Sequence, residues 1–524
     1  MTDEPFVSFA SRVLSHAGSF PDQRAVVCDH ETLSYGALVL RARRGAERLR
    51  AFGLEPGGTH RVGIIASNGL DFVVVVVACQ VLGVTVVPLP GLITPDALAR
   101  MIDDAGVTIV FHDADHAEKA SAAVGLGRDP GTIALVAMGG RTATDGSTAL
   151  DRWLATDPLV TSIDIDPQWT SDLIYSSGTT GVPKGIVQSY RGRSAQNASL
   201  ASIGVTAGSH LLQTVGLYSN FGMSSLYLTL WCGGTLFIMH KFSAAASVST
   251  LATEPIDNAW FAPATLVRTL ETPGFEESVR NRRCTKLCAG APLGATTKEQ
   301  VLAIWPGAFF DLYGQTETGT LTLLAAHAAP ASKLGSVGTL LSTVSVRIID
   351  DAGHVLPPDT EGEIAGHSTT LMSSYHARRD ADAAALWTDE LGRRYVRTGD
   401  IGRLDADGYL WLSDRKKDMI ISGGFNIYPA DIERVLQGHP AVLEVAVVGC
   451  ASARWGETPV AFVSLRLEVT ADEETLREWV NSRVARIQRV AAVRILASLP
   501  SGTMGKILKR ELRDRYANAL GTLP

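Results

Sequence analysis

Apolar and polar positions follow two alternating periods over the first 170 residues of the chain. Short apolar runs at 61–66, 84–87 and 107–111 predict buried strands, and the segment 95–105 has the spacing of a helix. Strands and helices that alternate in this way are typical of an α/β fold with parallel sheet content. We therefore predict that fold class for the first part of the chain.

The longest apolar stretch, 72–89, has a length that suggests a membrane span at first. Gln80, Gly83 and Pro88 interrupt it. Such residues fit a buried helix that runs into a strand better than they fit a segment in lipid. The sequence therefore predicts no stable membrane span.

The end of the chain predicts a second, smaller domain. Residues 429–433 start a helix with a proline in its first turn, 442–448 predict a strand, and a helix follows over about 473–487. That α+β content suffices for a compact domain of about 100 residues.

The composition is that of a folded globular protein. Of 524 residues, 46% are hydrophobic and 19% charged, and 47 basic and 54 acidic side chains give a net charge of −7. These values argue against a disordered chain and give no sign of binding to nucleic acid or to an anionic membrane. Six scattered cysteines and an N-terminus without a secretion signal predict a reduced, cytoplasmic protein.

The stretch 175–185 carries the strongest candidate chemistry. It reads Tyr-Ser-Ser-Gly-Thr-Thr-Gly-Val-Pro-Lys-Gly and follows a short apolar run that ends a strand. Its glycines let backbone N–H groups approach an anion, its Ser and Thr hydroxyls add donors, and Lys184 adds a positive charge. Pro183 stands where a Walker A loop needs a glycine, which disfavours an ordinary NTPase. The stretch predicts a polyphosphate site, with a flexible surface loop as the alternative.

A second run with candidate chemistry lies at 311–319. Tyr313 offers a flat face for a purine, Thr316 can donate to a phosphate, and Glu317 supplies a hard oxygen ligand for Mg²⁺. Downstream, Asp400 places a carboxylate on a predicted turn, where it can accept hydrogen bonds from the two hydroxyls of a ribose. A core tyrosine, a turn threonine, a solvated glutamate and a turn aspartate remain the alternatives.

Four runs occur together in one order and spacing: 175–185, 313–319, 398–400 and 414–418. With them, the sequence resembles the adenylate-forming superfamily of acyl-CoA synthetases, nonribosomal-peptide adenylation domains and luciferases. The resemblance extends over almost the whole chain, from 33–35 to 505–506. It implies a large N-terminal domain of stacked β/α layers and a small, mobile α+β C-terminal domain.

The resemblance also implies where these domains meet. The N-terminal adenylation and substrate-binding domain would span 1–415, a hinge 416–418, and the catalytic lid domain 419–524. Lys417 is the implied hinge residue.

Individual roles follow from the same resemblance. Lys506 would bridge the carboxylate substrate and the α-phosphate, Glu317 would hold Mg²⁺, Asp400 would bind the ribose, and Arg415 would contact the nucleotide. The implied catalytic residues are Lys506, Glu317, Thr179 and Lys184. The implied nucleotide- and CoA-binding residues are Ser176, Ser177, Gly178, Thr180, Gly181, Gly290, Ala291, Pro292, Asp311, Tyr313, Gly314, Thr316, Asp400, Arg415, Lys241, Gly423 and Gly424.

The acceptor thiol is expected to be that of coenzyme A. The turn at Gly423 and Gly424 looks like the form found in acyl-CoA synthetases, where it admits the pantetheine arm. Lys241 matches a position that can meet a CoA phosphate, although a surface lysine with no ligand is almost as good an interpretation. The stretch 218–222 lacks the aspartate that an amino-acid-activating domain would use for the α-amine. Cofactors implied by the resemblance are ATP, Mg²⁺ and CoA.

The acid is expected to be hydrophobic: aromatic, alicyclic or long-chain. The pocket residues implied by the resemblance are mainly small or apolar: Tyr218, Ser219, Phe221, Gly222, Phe261, Gly290, Gly314 and Gly319. Ser219 stands where many acyl-CoA synthetases carry a histidine, so the pocket entrance is expected to be wider. Ile421 stands where several relatives carry a lysine used in thioester formation, which weakens the case for that step.

Two other functions remain open. A stand-alone adenylating enzyme would pass its acyl group to a carrier protein or to a separate partner enzyme. A degenerate nucleotide-binding regulator would have lost Lys506, Glu317 or Asp400, and all three are present.

Overall fold

The computed structural model of the protein describes residues 6–139, 147–176, 184–416, 418–422, 425–452, 455–466, 469–502 and 506–514. The helices are α1 Phe9–Ser19, α2 Tyr35–Ala51, α3 Leu70–Leu82, α4 Pro95–Ala105, α5 Ala117–Leu126, α6 Leu150–Trp153, α7 Tyr190–Ala201, α8 Asn220–Cys232, α9 Ala244–Thr253, α10 Pro263–Leu270, α11 Phe275–Val279, α12 Ala295–Ile304, α13 Arg379–Ala385, α14 Pro429–Gln437, α15 Glu473–Asn481 and α16 Lys509–Leu512.

The strands, in the same chain order, are β1 Arg24–Cys28, β2 Glu31–Ser34, β3 Arg61–Ile65, β4 Val86–Leu89, β5 Val107–His112, β6 Ala134–Ala137, β7 Thr148–Ala149, β8 Thr170–Ser176, β9 Lys184–Ser189, β10 His210–Gln213, β11 Thr235–Ile238, β12 Asn258–Phe261, β13 Thr285–Ala289, β14 Phe309–Gln315, β15 Gly319–Ala325, β16 Thr339–Leu340, β17 Ser345–Ile349, β18 Gly362–His367, β19 Ser374–Tyr375, β20 Leu386–Thr388, β21 Arg394–Leu404, β22 Leu410–Arg415, β23 Ile420–Ser422, β24 Phe425–Ile427, β25 Val442–Ser452, β26 Gly456–Leu465 and β27 Ala492–Ile495.

The chain forms two compact units, each assembled from several segments. Unit 1 comprises Met1–Gly290, Val301–Leu321 and His367–Leu386. Unit 2 comprises Ala291–Gln300, Thr322–Gly366 and Trp387–Pro524. The division at 416–418 that the resemblance implies stays a prediction.

Unit 1 contains largely parallel sheets. One has the strand order β19-β9-β8-β4-β3-β5-β6-β7, and a second runs β14-β13-β12-β10-β11-β1-β2 within this unit. Pairs such as β3 with β4, β3 with β5 and β12 with β13 are parallel, whereas the hairpin β8–β9 is antiparallel. Parallel strands joined by helices require crossover connections, which explains the alternating pattern along the chain. The predicted α/β fold with parallel sheet content is confirmed.

The apolar stretch 72–89 forms the helix and strand that its sequence predicts. Helix α3 is buried from Phe72 to its end, and Gly83 closes it in the left-handed region at φ 80°. Strand β4 then begins at Val86, two residues later than expected, because the backbone N–H of Val84 still bonds to Cys79. None of the helices in the described ranges is both long enough and apolar enough to cross a membrane.

Unit 2 contains two mainly antiparallel sheets. In one, β17-β18-β21-β20 are neighbours and β22 pairs with β21; in the other, β24-β23-β26-β25 are neighbours and β27 pairs with β26. Helices α14 and α15 bury Ile432, Leu436, Leu476 and Val480 in the core of the second sheet. The predicted α+β content of the C-terminal region is therefore present.

Helix α15 is shorter than the sequence predicts. It ends at Asn481, and a short 3₁₀ turn at Arg486–Gln488 follows where the helix was expected to continue. The side chain of Asn481 donates to the carbonyl of Val490 at 3.0 Å and accepts from its N–H at 2.8 Å. This paired contact turns the chain, because the side chain substitutes for the backbone bonds of a further helical turn.

The predicted turn around Asp400 is wrong. Strand β21 runs through this residue, and Gly399 interrupts it with a φ of 68°. The Thr398 hydroxyl donates to the carbonyl of Ile364 at 2.8 Å and accepts from the N–H of Asp400 at 3.1 Å. A glycine in the left-handed region gives a local irregularity that the ladder tolerates, so the turn signal marks a kink inside a strand.

Candidate active site

The phosphate run predicted at 175–185 is carried by the hairpin β8–β9. Ser176 lies opposite Lys184 and Tyr175 opposite Gly185, so the hairpin brings the lysine back beside the start of the run. Residues 177–183 and the side chain of Ser176 lie outside the described residues. The roles of Ser176, Ser177, Gly178, Thr179, Thr180 and Gly181 therefore stay predictions.

The end of this hairpin next to residues 177–183 is fixed by a partly buried tyrosine. The Tyr175 hydroxyl donates to Asp104 at 2.7 Å, and the other oxygen of Asp104 accepts from Arg378 at 2.9 Å. Burial, and then the nearby Asp104 carboxylate, raise the pKa of Tyr175 well above its usual range. The phenol therefore remains a hydrogen-bond donor at neutral pH and holds the strand in place.

Glu317, the implied Mg²⁺ ligand, is held on three sides within unit 1. The side chain of Gln188 on β9 donates to the preceding carbonyl, that of Thr316, at 2.7 Å. The backbone oxygen of Glu317 accepts from Met372 at 2.9 Å, and its Oε1 accepts from the hydroxyl of Tyr375 at 3.0 Å. The Nζ of Lys184 lies 5.1 Å from the centroid of the same Tyr375 ring. The structure thus brings Glu317 and Lys184 to the same tyrosine.

A half-buried carboxylate with one oxygen in a hydrogen bond fits Mg²⁺. This cation is usually held by one or two carboxylates together with substrate phosphates and water, rather than by a complete protein cage. The donor set around Glu317 therefore fits the metal that the resemblance implies.

Two implied site glycines are required by close backbone contacts. A Cβ on Gly314 would lie 2.1 Å from the carbonyl oxygen of Gly319. Gly319 has a φ of 66°, and a Cβ there would lie 1.8 Å from the hydroxyl of Thr370. These contacts keep the turn between β14 and β15 tight, which fixes the position of Glu317 within it.

The strand before this turn buries two further predicted residues. Asp311 and Tyr313 are two residues apart in β14 and lie on the same buried face, where they are 3% and 8% exposed. The burial of Tyr313 supports the alternative interpretation, in which it is a core residue. Its role in stacking on a purine stays a prediction. Gly290 follows β13 with a φ of 96°, so the chain turns sharply before Ala291 and the exposed Pro292.

Ser219 has a role that the sequence interpretation missed. It is the N-cap of α8: its hydroxyl accepts from the N–H of Gly222 at 3.0 Å and donates to the carbonyl of Gly216 at 2.8 Å. The residue is only 6% exposed. A serine just before an apolar run is itself a helix-start signal, and this signal was available in the sequence. The predicted wide entrance therefore depends on a residue whose side chain is already used in the fold.

Among the other predicted pocket residues, Phe221 stacks on an aromatic ring of β12 in unit 1. The rings of Phe221 and Trp260 are stacked at 5.3 Å with an interplanar angle of 11°. Phe261 is fully buried, and a Cβ on Gly222 would lie 2.2 Å from the carbonyl oxygen of Gly216. Tyr218 is partly buried, with its ring against Gly216.

Lys241 is an exposed, ion-paired lysine. Its side chain is 68% exposed, and its Nζ lies 2.8 Å from Asp115, whose hydrogen bond raises the pKa of the lysine. Asp113, Asp115 and His240 lie close enough for a cation, but Asp113 already accepts from Ser67 and Asp115 pairs with Lys241. The CoA-phosphate role and the exposed-lysine interpretation of Lys241 both stay open.

In unit 2, Asp400 is buried in β21, opposite Arg415 in β22. The side chain of Arg415 lies outside the described residues, as do Lys417, Gly423 and Gly424. Lys416, the first residue of the implied hinge, binds Asp351 at 2.6 Å and Glu363 at 3.2 Å.

Lys506 lies on a tight reversal of the chain in unit 2. Its carbonyl accepts from the N–H of Gly502 at 2.7 Å, and its side chain is exposed. On the following turn, Lys509 forms an ion pair with Glu433 of α14 at 2.9 Å.

Comparison with known proteins agrees with this arrangement. Residues 14–376 match the AMP-binding enzyme family, and residues 431–506 match the AMP-binding enzyme C-terminal domain. The chain belongs to the AMP-binding enzyme family. The predicted adenylate-forming superfamily is confirmed, and so are the α/β fold and the class of AMP-forming acid–thiol ligase. The cofactors ATP, Mg²⁺ and CoA fit this class, and the choice between CoA and a carrier protein as acyl acceptor stays a prediction.

Relatives within the AMP-binding enzyme family cover almost the whole chain. The fatty acid–[acyl-carrier-protein] ligase ScoC of Streptomyces coeruleorubidus is 32% identical over 515 residues, 96% of this chain and 95% of its own length. A feruloyl-CoA synthase of Amycolatopsis sp is 31% identical over 510 residues, 95% and 99% of the two chains. ATP-bound MatB from Rhodopseudomonas palustris superposes with a TM-score of 0.86 at 27% identity, covering 98% of this chain and 100% of its own.

Proposed function

We propose that this chain adenylates a hydrophobic carboxylic acid with ATP, releases pyrophosphate, and transfers the acyl group to the thiol of coenzyme A. The acid is aromatic, alicyclic or long-chain. The observation that carries the choice of acid is the aromatic pair of Phe221 and Trp260, whose rings are stacked at 5.3 Å.

The character of this pair favours apolar acids. Aromatic rings bury apolar surface efficiently, and they give a second charged group on the acid nothing to pair with. A feruloyl-CoA synthase among the relatives supports the same class, because its name describes an aromatic acid.

The chemistry requires charge stabilisation more than a protein nucleophile. In the first step a carboxylate oxygen attacks the α-phosphorus of ATP, and the bond to pyrophosphate breaks. Negative charge that develops on the phosphate oxygens is opposed by Lys184 and, in the role implied by the resemblance, by Lys506. Mg²⁺, when bound through Glu317, supplies further neutralisation of phosphate charge.

In the second step the thiol attacks the acyl carbonyl, and AMP leaves with the bonding electrons. This step requires no protein thiol. Burial raises the pKa of Cys232 and of Cys450 to about 11, and raises that of Cys28 to about 12, so these thiols stay protonated at neutral pH.

The roles of the hinge and of the acceptor turn belong to this proposal. Lys417 would let the lid domain, 419–524, change orientation between the two steps, and Gly423 and Gly424 would admit the pantetheine arm. A cytoplasmic location is proposed with the function, since its substrates are cytoplasmic metabolites.

Transfer to an acyl-carrier protein is the second candidate. One observation favours it specifically: the relative ScoC, which matches 96% of this chain, is named as an acyl-carrier-protein ligase. The adenylation step is the same in both cases, so only the acceptor differs.

The experiment is pyrophosphate release over a panel of carboxylic acids, from acetate to cinnamate-like, alicyclic and long-chain acids. Each acid is tested with and without CoA, and products are identified by mass spectrometry. The proposal expects acid-dependent release that favours hydrophobic acids and an acyl-CoA product. Preference for acetate-sized or dicarboxylic acids would contradict the proposed substrate class.

A further inference from the structure

Tyr375 lies beside the phosphate hairpin although it is almost 190 residues away from it in sequence. It ends the short strand β19, which pairs antiparallel with β9 so that Tyr375 is opposite Ile186. The next residue, His376, donates its N–H to the carbonyl of Gly185 at 2.7 Å. The backbone ladder therefore places this tyrosine directly beside the strand that begins with Lys184.

The side chain of Tyr375 contacts both charged residues of this region. Its hydroxyl donates to Oε1 of Glu317 at 3.0 Å, and its ring centroid lies 5.1 Å from the Nζ of Lys184. One end of the ring therefore binds the carboxylate through a hydrogen bond, while the face attracts the ammonium group by a cation–π interaction.

The backbones on both sides of this contact are also fixed. The N–H of Tyr375 donates to Asp382 of α13 at 2.7 Å, and the N–H of Met372 donates to the carbonyl of Glu317 at 2.9 Å. Tyr375 is 8% exposed, so water has little access to the hydroxyl from outside. The direction of the phenol oxygen is therefore set by the fold and not by the carboxylate alone.

A fixed donor on one carboxylate oxygen has a chemical consequence. It restricts rotation of the Glu317 carboxylate and so sets the direction in which the carboxylate presents its oxygens to a hard cation. The neutral ring gives Lys184 a partner that does not cancel its charge, so the ammonium remains able to attract phosphate.

We propose that Tyr375 is a positioning residue for the nucleotide and its metal: its hydroxyl orients Glu317 for Mg²⁺, and its ring holds Lys184 for the phosphates. This inference rests on the proposed roles of Glu317 and Lys184 in ATP binding. It makes two separable statements, one about the hydroxyl and one about the ring.

Two substitutions separate these statements. Tyr375→Phe removes the hydroxyl and keeps the ring, whereas Tyr375→Leu removes both. Tyr395→Phe is a matched control, because the Tyr395 hydroxyl also donates to a carboxylate, that of Asp389 at 3.2 Å. Thermal unfolding of each variant verifies that it is folded before binding is measured.

The readout is binding without turnover. Mn²⁺ replaces Mg²⁺ and is followed by electron paramagnetic resonance in the presence of α,β-methylene-ATP and without any acid. Tyr375→Phe should weaken Mn²⁺ binding in this ternary complex by about tenfold, the scale of a lost hydrogen bond to a charged group. Affinity for the analogue without metal should be unchanged in Tyr375→Phe and reduced by about two- to fivefold in Tyr375→Leu.

A double-mutant cycle verifies that the hydroxyl acts through Glu317. In a Glu317→Gln background, Tyr375→Phe should cause no further loss of Mn²⁺ affinity. Equal Mn²⁺ affinity in wild type, Tyr375→Phe and Tyr395→Phe would overturn the proposal, as would an undiminished loss in the Glu317→Gln background. Failure of the wild-type protein to bind Mn²⁺ and the analogue at all would instead contradict the proposed function.

Discussion

The region around Glu317 in unit 1 and the reversal that carries Lys506 in unit 2 hold their charged groups in opposite ways. Glu317 is fixed by its own side chain, which accepts from Tyr375, and by its backbone, which accepts from Met372. Lys506 has a fixed backbone at Gly502, but its side chain is exposed.

The fixed carboxylate of Glu317 and the exposed side chain of Lys506 suit two different roles in the reaction. A group that must hold a metal and phosphates in one geometry benefits from preorganisation, because no reorganisation is then needed during reaction. A lysine that acts in only one of two half-reactions benefits from an exposed side chain, since a domain motion can then deliver and withdraw it.

The largest expected effect comes from removing the exposed lysine. Lys506→Ala should lower acid-dependent pyrophosphate release at least about a hundredfold, because loss of one charge-stabilising donor typically costs that much. Transfer from a synthetic acyl-adenylate to CoA should survive. Arg510→Ala, which removes an exposed cation in α16, is the control. Equal loss in both half-reactions would show that the role of Lys506 is wrongly assigned.

The proposed hinge is tested next. Lys417→Pro fixes φ and removes a backbone donor, so the lid should be locked in one orientation. Pyrophosphate release should remain, whereas thioester formation should fall by at least about tenfold. Lys417→Ala, which leaves φ free, should retain both activities. Two equally active variants would place the hinge at another residue.

Ser219 gives a more selective effect, because the loss depends on the size of the acid. Because Ser219 caps α8, Ser219→Ala should lower the free energy of unfolding by about 1 kcal/mol. It should not change the preference of the enzyme between large and small acids. Ser219→Phe adds a ring, and overfilling of a packed wall should lower kcat/KM for the largest acids about tenfold to a hundredfold more than for small ones. If the ratio of kcat/KM for large acids to kcat/KM for small acids is the same in Ser219→Phe and Ser219→Ala, Ser219 does not face the acyl group.

The smallest effect concerns the anchor of the Lys506 reversal. Lys509→Met removes the partly buried ion pair with Glu433, for which the two side chains are 18% and 20% exposed. Pyrophosphate release should fall about two- to fivefold, in line with the modest strength of such pairs, while transfer from the acyl-adenylate should not change. Glu433→Gln should reproduce the effect, and the double variant should add little to either. A larger loss in the transfer step than in adenylation would contradict the anchoring role.

Regular periodicity allowed much of the fold to be predicted from sequence. Helix α4 has the predicted bounds, and strands β3 and β5 differ from expectation by one residue. Local features explain the errors. The side chain of Asn481 ends α15 earlier than predicted. Gly399 produces a kink inside strand β21 at a position where its sequence signal had predicted a turn. Such features depend on residues that are distant in sequence or on a single φ angle, and periodicity does not report either.

The site residues that belong to sequence motifs were predicted. The residue that reaches the site through strand pairing was missed. Glu317 and Lys184 come from recognisable runs, but nothing in the run around Tyr375 indicates that it contacts both. Its position follows from the pairing of β19 with β9, which a single sequence does not reveal. The capping role of Ser219 was visible in principle, because a serine precedes the apolar run of α8.

The most direct test of the central claim is a competition between acceptors. The enzyme is given ATP, Mg²⁺, a hydrophobic acid, free CoA and an equal concentration of a phosphopantetheine-loaded carrier protein, and both thioesters are quantified by mass spectrometry. The account predicts that acyl-CoA is the main product and that its formation requires the acid. If the acyl thioester of the carrier protein is the main product, and little acyl-CoA forms with any of the acids, the account is contradicted.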